Sequence, residues 1–344
     1  MPDQSIKIIS EIGNTHEGSL GIALSLIDMS VNAGADIVKF QMHIPEFESS
    51  DNETFRDNSF LQDNSRKNYW ERVSFNIDEW VRIKQYCDLK NIEFLCTPFS
   101  VEAAKLLWDN QLVKRWKIGS GEISNMRLLD YVFNTNLEVL VSTGLTTQVE
   151  LDKLVELVGK NYNLNSLVIM HCVSQYPTKL DNSALNLINY FSDKYRVKIG
   201  HSDHSGNIST SILALTLPIH YLEVHLKPHD LFFGPDISSS LNPNELSFLV
   251  KTRNDFALIQ KSKLSRDDLF NLSEKTAKLF RKGLYWSRSL NVNETITDTD
   301  LDLRKPEGEI SATELDSLVG RKLIRDVLKG DIVRFTDFSK TNEK

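Results

Sequence analysis

Two lysines of this 344-residue chain stand where an ammonium group is costly: Lys39 in DIVKF and Lys117 in VKRWKI each lie at the end of an apolar run. Burying such a charge demands an anionic partner. Two of them near one mouth would suit a phosphate or carboxylate ligand. Pairing with a nearby Asp or Glu accounts for either lysine equally well, and a desolvated lysine of lowered pKa is also a candidate Schiff-base nucleophile. Small residues accompany them: Ser120 and Gly121 in KIGSGE, then Ser142, Thr143 and Gly144 in VSTGL. Hydroxyls donate without bulk, and glycine lets main-chain N–H groups approach an anion closely. Singly each reads as a turn or helix cap. Their coincidence at successive run ends points to an anion cradle.

His204 in HSDHS and His225 in EVHL follow two further apolar runs. Two neutral imidazoles on neighbouring strands can hold one divalent ion and leave positions open for substrate; a hydrogen-bonded pair near the surface is the plainer alternative. Asp203, Glu223 and Asp236 are close enough in sequence to orient those rings. His16 and Glu17, in NTHEGS, would face the same mouth. A carboxylate there suits proton transfer, although capping the helix that starts near Ser19 explains it as cheaply.

What positions these residues is a recurring unit. Short apolar runs stop at polar knots, at Gln41, Thr97, Glu122 and Thr143 and again in VIMHC, VKIGHSDH and YLEVH. Buried parallel strands read as continuous apolar stretches, and ligands gather beyond their carboxyl ends. Strands are predicted at 6–12, 36–40, 92–96, 114–118, 138–142, 166–171, 196–200 and 220–224. Between them lie amphipathic helical segments such as GIALSLIDMSVNAGA and QVELDKLVELVGKN. Eight such units predict an α/β fold, a (β/α)8 TIM barrel over 1–262, in preference to a doubly wound open sheet. Segment 44–75 is polar and long for a connection and reads as a lid. A charged linker at 263–282 leads to a small, mainly β domain at 283–344.

Composition narrows the partners. Hydrophobic residues make up 40% and charged residues 25%, with a formal net charge of −7, which argues against a general nucleic-acid or anionic-membrane surface and leaves small charged metabolites open. Cys87, Cys96 and Cys172 lie in apolar runs without metal-type spacing and read as buried free thiols. The chain opens without a basic and apolar leader, and no stretch approaches the ~18 apolar residues of a membrane span, so a cytoplasmic protein is expected.

EIGNTHEGSLGIALSLIDMSVNAGADIVKFQ, CTPFS, WKIGSGE, VSTGL, HCVSQYPT, IGHSDHS, LEVHL and GPDISSSLNP together resemble the sialic acid synthase family in order and spacing, over nearly the whole chain. The segment from GLYWSRSL to VLKGDIV is similar to the antifreeze-like (SAF) domain that closes those enzymes. The resemblance implies a metal-dependent condensation of phosphoenolpyruvate with the open-chain aldehyde of an amino sugar. N-Acetylmannosamine is the prototype acceptor, and the products are a nine-carbon 2-keto acid and phosphate, released by C–O cleavage. It implies that His204 and His225 hold manganese or magnesium. By the same resemblance Lys39, Thr97, Lys117, Ser120, Ser142 and Ser202 bind phosphoenolpyruvate, Gln41, Glu122, Tyr176 and Asp236 contact the sugar, and Glu17 handles protons when water adds. Lys39, Lys117 and Glu122 join Glu17 as candidate catalytic residues.

Departures from the family's pattern matter as well. Ser174 stands beside the phosphoenolpyruvate position where many members have asparagine, and His201 stands where a small apolar residue is usual. An arginine that reaches the sugar's acyl group aligns with Lys305, next to Arg304, and lysine cannot reproduce a guanidinium fork. The acceptor is therefore open, with legionaminic-type and pseudaminic-type precursors beside N-acetylmannosamine. The resemblance also implies a domain-swapped homodimer, which a linker of about 20 residues, reaching at most roughly 60–70 Å, permits. A Schiff-base barrel aldolase and a non-catalytic sugar-binding protein are the competing readings.

Overall fold

In the computed structural model, residues 6–55 and 62–339 are described. The chain divides into two units, Met1–Gln260 and Lys261–Lys344. In the first, eight parallel strands alternate with helices: β1 (Lys7–Gly13), α1 (Leu20–Ala33), β2 (Ile37–Met42), α2 (Pro45–Glu48), α3 (Arg66–Val73), α4 (Ile77–Leu89), β3 (Glu93–Pro98), α5 (Val101–Asp109), β4 (Trp116–Ile118), α6 (Met126–Asn134) and β5 (Val139–Ser142). There follow α7 (Gln148–Asn161), β6 (Leu167–Cys172), α8 (Asn186–Tyr195), β7 (Lys198–Asp203), α9 (Ile208–Ala214), β8 (Tyr221–Leu226), the two-residue β9 (Ser240–Leu241) and α10 (Pro243–Lys261).

Hydrogen bonding runs in the order β3-β2-β1-β8-β7-β6-β5-β4, with β9 beside β8, and β3 packs against β4 to bring the sheet round on itself. The predicted TIM barrel is what the chain forms. All eight strands begin one to two residues later than predicted, and most run further toward their polar ends. Polar side chains that face the barrel axis do not interrupt a ladder, so loss of hydrophobicity marks the strand end too early.

Alternation along the strands sorts the interior into layers. Ile9, Ile37, Leu95, Leu140, Val168, Met170 and Tyr221 form an apolar cluster inside the barrel. A larger cluster, including Ile8, Leu26, Phe40, Phe94 and Trp116, lies between strands and helices. Full burial of each such aliphatic or aromatic side chain contributes ~1.5–3 kcal/mol. Two residues further along the same strands come Glu11, Lys39, Thr97, Ser142, Cys172 and Glu223. On the other side of the apolar layer, Arg115 bonds Glu93, Glu138 and the Tyr221 hydroxyl, and Lys198 Nζ reaches Glu138 Oε1 at 2.6 Å. One end of the barrel is thus closed by a salt-bridged plug.

Helix starts follow local chemistry. Ser19 accepts from the Ile22 N–H at the head of α1, while Asn76 with Glu79 and Thr147 with Glu150 form capping boxes for α4 and α7. The cap of α1 is Ser19, which leaves Glu17 without that duty. Gly18 has φ +77°, and a Cβ there would stand 2.2 Å from the Arg72 carbonyl oxygen, so the end of α3 rests directly on the loop after β1.

The second unit contains α11 (Arg266–Leu272), α12 (Glu274–Phe280), β10 (Gly283–Trp286), β11 (Leu301–Arg304) and α13 (Leu315–Leu318). The stretch expected as a linker is therefore largely two short helices. β10 and β11 pair antiparallel, and Leu284, Trp286, Leu290, Ile296, Leu323 and Phe338 belong to a separate core. Asp337 ties it together, accepting from Trp286 Nε1 at 3.3 Å and Arg325 Nε at 2.7 Å. No described helix is long and apolar enough to cross a membrane. Cys87, Cys96 and Cys172 are free and buried, as expected.

Gly200 shows how fully the barrel is packed. A Cβ at that position would meet Met170 Sδ at 2.2 Å. Gly200→Ala should lower stability by ~1–3 kcal/mol in urea unfolding, and Met170→Ala in the same chain should cost less than it does alone. An unperturbed Gly200→Ala variant would mean that the interior has slack.

Candidate active site

The carboxyl ends of the strands open into a cavity of about 460 Å³. Its floor is a chain of four buried charges. Lys39 Nζ lies 2.9 Å from Glu11 Oε1 and 3.6 Å from Glu223 Oε1, and Lys117 Nζ lies 3.7 Å from Glu223 Oε2. Lys39 donates to Thr97 Oγ1 at 3.3 Å, Lys117 to Ser142 Oγ at 2.6 Å, and Ser202 to Glu223 Oε1 at 3.0 Å. β1 and β2 set Glu11 level with Lys39 in register.

Burial opposes ionisation of Glu223, but Lys117 and Lys39 outweigh it and push this carboxyl down to about 2. Burial likewise opposes the Lys39 charge, and Glu11 and Glu223 reverse the balance and raise its pKa. Lys117 is lowered by burial, with the Lys39 charge adding and Glu223 resisting. Glu11 is raised by burial against the pull of Lys39. Two lysines with hydroxyl donors around them suit an anion.

Beside the floor stand the two predicted histidines, ring centres 5.4 Å apart. His204 Nδ1 lies 2.8 Å from the Val173 carbonyl oxygen, to which it donates. That fixes the tautomer and leaves the Nε2 lone pair toward Tyr176 Oη at 3.3 Å and Ser202 Oγ at 3.2 Å. Burial, with His225 nearby, lowers His204 to about 4, so the ring is neutral at pH 7. Asp236 Oδ2 lies 3.8 Å from His225 Nδ1. A neutral imidazole held at one nitrogen, with its other lone pair turned toward hydroxyls and a second imidazole alongside, fits a divalent ion. Among the described residues no group of three His, Cys, Asp or Glu forms a metal cluster, so substrate or water would complete the coordination.

Lys39, Gln41, Thr97, Lys117, Ser120, Glu122, Ser142, Tyr176, Ser202, His204, His225 and Asp236 all line this cavity. Ser174 stands behind them, its hydroxyl 3.2 Å from Ser120 Oγ. Glu122 is half-buried and raised by burial, with an Asn125 hydrogen bond of 2.9 Å holding it back and Glu48 adding to the rise.

Other predicted residues lie elsewhere. His16, expected at the mouth, is buried against Phe75 with ring centres 4.5 Å apart, and its Nδ1 accepts from the Gly18 N–H. It shapes the loop. Glu17, at φ 50°, is not among the cavity-lining side chains and accepts from Arg72 Nη1 at 2.8 Å; burial raises its pKa against that bond. Asp203 orients neither histidine ring. It accepts from Thr210 and Ser211 hydroxyls at 2.6 Å each and fastens β7 to α9. Glu223 serves the lysines, because parallel stagger sets it between β1 and β7 at the level of Ile9 and Ser202. His201 points out of the barrel and stacks on His171 with centres 5.4 Å apart, since alternation sends its inward neighbour Ser202 to the site. Arg304 and Lys305 belong to the second unit, where Arg304 pairs with Asp302 and Lys305 Nζ sits 5.2 Å from the Phe280 ring centre.

Sequence reasoning missed Glu11, Asn14, His43, Glu48, Tyr69, Trp70 and Phe99, all of which line the cavity. Glu11 carried the same signal as Lys39, a charge within an apolar strand. The predicted lid segment contributes Glu48, Glu53, Phe55, Arg66, Tyr69 and Trp70 to the walls; its residues 56–61 lie outside the described residues.

The folded pKa of Glu223, about 2 against an ordinary 4.5, gives a stability contribution that is present above pH ~4.5 and lost as pH falls from there toward 2. Glu223→Gln should reduce unfolding free energy at pH 7 by ~3–5 kcal/mol, because two buried ammonium groups lose their shared partner. Stability of the variant, followed by urea unfolding, should also decline less than the parent's between pH 4.5 and 3. A variant as stable as the parent at pH 7 would show that the lysines do not depend on it.

Similarity to known proteins runs across both units. The profile of the NeuB family matches residues 26–264, and that of the SAF domain matches residues 281–339. An N,N'-diacetyllegionaminic acid synthase of Campylobacter jejuni is 27% identical over 95% of this chain and 98% of its own length. A pseudaminic acid synthase of Campylobacter jejuni is 28% identical over 98% of this chain and 97% of its own length. The crystal structure of an N-acetylneuraminic acid (sialic acid) synthetase from Leptospira borgpetersenii, in complex with citrate, superposes with a TM-score of 0.69. It is 27% identical and covers 80% of this chain and 92% of its own.

Proposed function

The chain belongs to the NeuB family of condensing synthases, and we propose that it joins phosphoenolpyruvate to the open-chain aldehyde of an amino sugar, giving a nonulosonic acid and phosphate. One observation carries this reading: a cavity whose floor presents Lys39 and Lys117 with hydroxyl donors, beside a pair of adjacent imidazoles.

Phosphoenolpyruvate brings a phosphate and a carboxylate. Lys39 and Lys117, with hydroxyls of Thr97, Ser120, Ser142 and Ser202 and with Ser174 behind, supply cations and donors for both groups. Carbon three of the enol then bonds to the aldehyde carbon, and the aldehyde oxygen takes up a proton. Water adds to the cationic carbon two and releases a proton, and the bond from that carbon to the phosphate oxygen breaks to leave the ketone. A manganese or magnesium ion held by His204 and His225 would supply Lewis-acid polarisation of the aldehyde. Gln41, Glu122, Tyr176 and Asp236 face the acceptor. Glu17, paired with Arg72 outside the cavity lining, is the resemblance's candidate for the proton of the added water and would have to leave that pair to reach it.

The lowered pKa of Lys117 supports a second reading, a Schiff-base aldolase. Phosphate release, measured with phosphoenolpyruvate against N-acetylmannosamine and its 6-deoxy diamino analogues, decides between them and also identifies the acceptor. EDTA should abolish turnover, and manganese should restore it. His204→Ala or His225→Ala should lower turnover by at least about a hundredfold with the fold intact. Turnover that survives EDTA, together with borohydride trapping of a keto substrate on Lys117, would favour the aldolase. Glu17→Gln should lower kcat far more than it raises the phosphoenolpyruvate KM, whereas equal changes would assign it to binding. We also propose a homodimer as the working form, to be checked by sedimentation equilibrium.

A further inference from the structure

Three flat side chains form a nearly parallel stack on the cavity wall. His43, just beyond β2, lies between Trp70 of α3 and Phe99, just beyond β3, with ring centres 3.9 Å and 4.3 Å away and planes within 18°. Ser74 Oγ donates to the His43 carbonyl oxygen at 3.0 Å, so the end of α3 is fixed to the same residue. A ring held on both faces cannot tilt, and its two nitrogens aim in fixed directions.

One of them, Nδ1, lies 2.6 Å from Glu48 Oε1, which accepts its proton. The other, Nε2, accepts from Asn14 Nδ2 at 3.4 Å, and the same amide nitrogen donates to Gln41 Oε1 at 3.4 Å. Gln41 in turn donates from Nε2 to Glu11 Oε1 at 2.7 Å. The Gln41 amide is thereby held from both ends, in a continuous line from Glu48 through His43, Asn14, Gln41 and Glu11 to Lys39. Glu48 Oε2 and Asn14 Oδ1 are buried with no hydrogen-bond partner among the described residues. Two unused acceptors therefore flank this line at the acceptor side of the cavity.

We propose that His43, buttressed by Glu48, is a positioning residue that holds the Gln41 amide and Asn14 in the orientation in which they hydrogen-bond the acceptor sugar. The assignment rests on the condensation reading given above. If His43 served packing alone, any flat ring would do. His43→Phe keeps a ring between Trp70 and Phe99 and removes both nitrogens.

With N-acetylmannosamine or its 2,4-diacetamido-2,4,6-trideoxy analogue, His43→Phe should raise the acceptor KM about tenfold or more. The phosphoenolpyruvate KM should stay within about twofold, and the melting midpoint should not move. Glu48→Ala leaves the stack untouched and should show the same split at about threefold or more, which covers the case in which His43→Phe fails to fold. An unchanged acceptor KM, or an equal rise for both substrates, overturns the assignment. Calorimetric titration of the same sugars separates this outcome from failure of the condensation reading. A parent that binds sugar without turnover, and binds it less well as His43→Phe, overturns condensation and supports the role of His43; a parent that neither turns over nor binds sugar overturns both.

Discussion

Two lysines and two glutamates, buried together inside a barrel, set the terms for everything above them. Each ion in isolation would carry a desolvation cost of several kcal/mol. Their alternation, Glu11 to Lys39 to Glu223 to Lys117, makes them tolerable, because every cation has an anion within 4 Å. The arrangement requires strands β1, β2, β4 and β8 to keep register. A slip of one residue on any of them would turn its charge into the apolar layer between barrel and helices, where nothing answers it. The apolar layer beneath and the hydroxyls around it are fitted to this cluster, and the cavity inherits its polarity.

The same period of two explains the division of labour along each strand. On β8, Tyr221 belongs to the plug at the closed end, Glu223 to the charged floor and His225 to the mouth. On β2, Ile37, Lys39 and Gln41 make the corresponding ascent, with His43 next above the strand. Buried structure and chemistry thus share the same strands, separated only by height. Stability is concentrated below, and substrate recognition draws on loops whose geometry the strands fix.

Strand count, barrel closure and twelve of the cavity residues were legible in the sequence because they depend on local alternation, which a chain displays without its fold. Parity alone also distinguishes Ser202 from His201, and it marks Glu11 as an inward charge. What was not legible depends on distance across the barrel. Glu223 has the parity of His225, yet stagger between neighbouring strands decides that it meets lysines. The Trp70–His43–Phe99 stack brings together residues from two connections, those after β2 and after β3, and no spacing within either announces it. Asp203 stands next to the site in sequence but turns outward to α9, which shows that proximity along a chain is a poor guide to proximity around a barrel. The charged stretch between the two domains has a helix-compatible pattern, and α11 and α12 form there.

The salt-bridged plug around Arg115 has a kinetic consequence. Among the described residues it makes the barrel a blind well that opens at the carboxyl ends of the strands. On the proposed reading, with the anion on the floor and the sugar at the walls, traffic would be single file: the enol phosphate would go down first, and the acceptor would seat above it as a stopper. Inorganic phosphate, generated at the bottom, would then depart only after the larger product has cleared the way. Sequential order would in that case be a property of the vessel's shape, requiring no conformational signal between the two substrates.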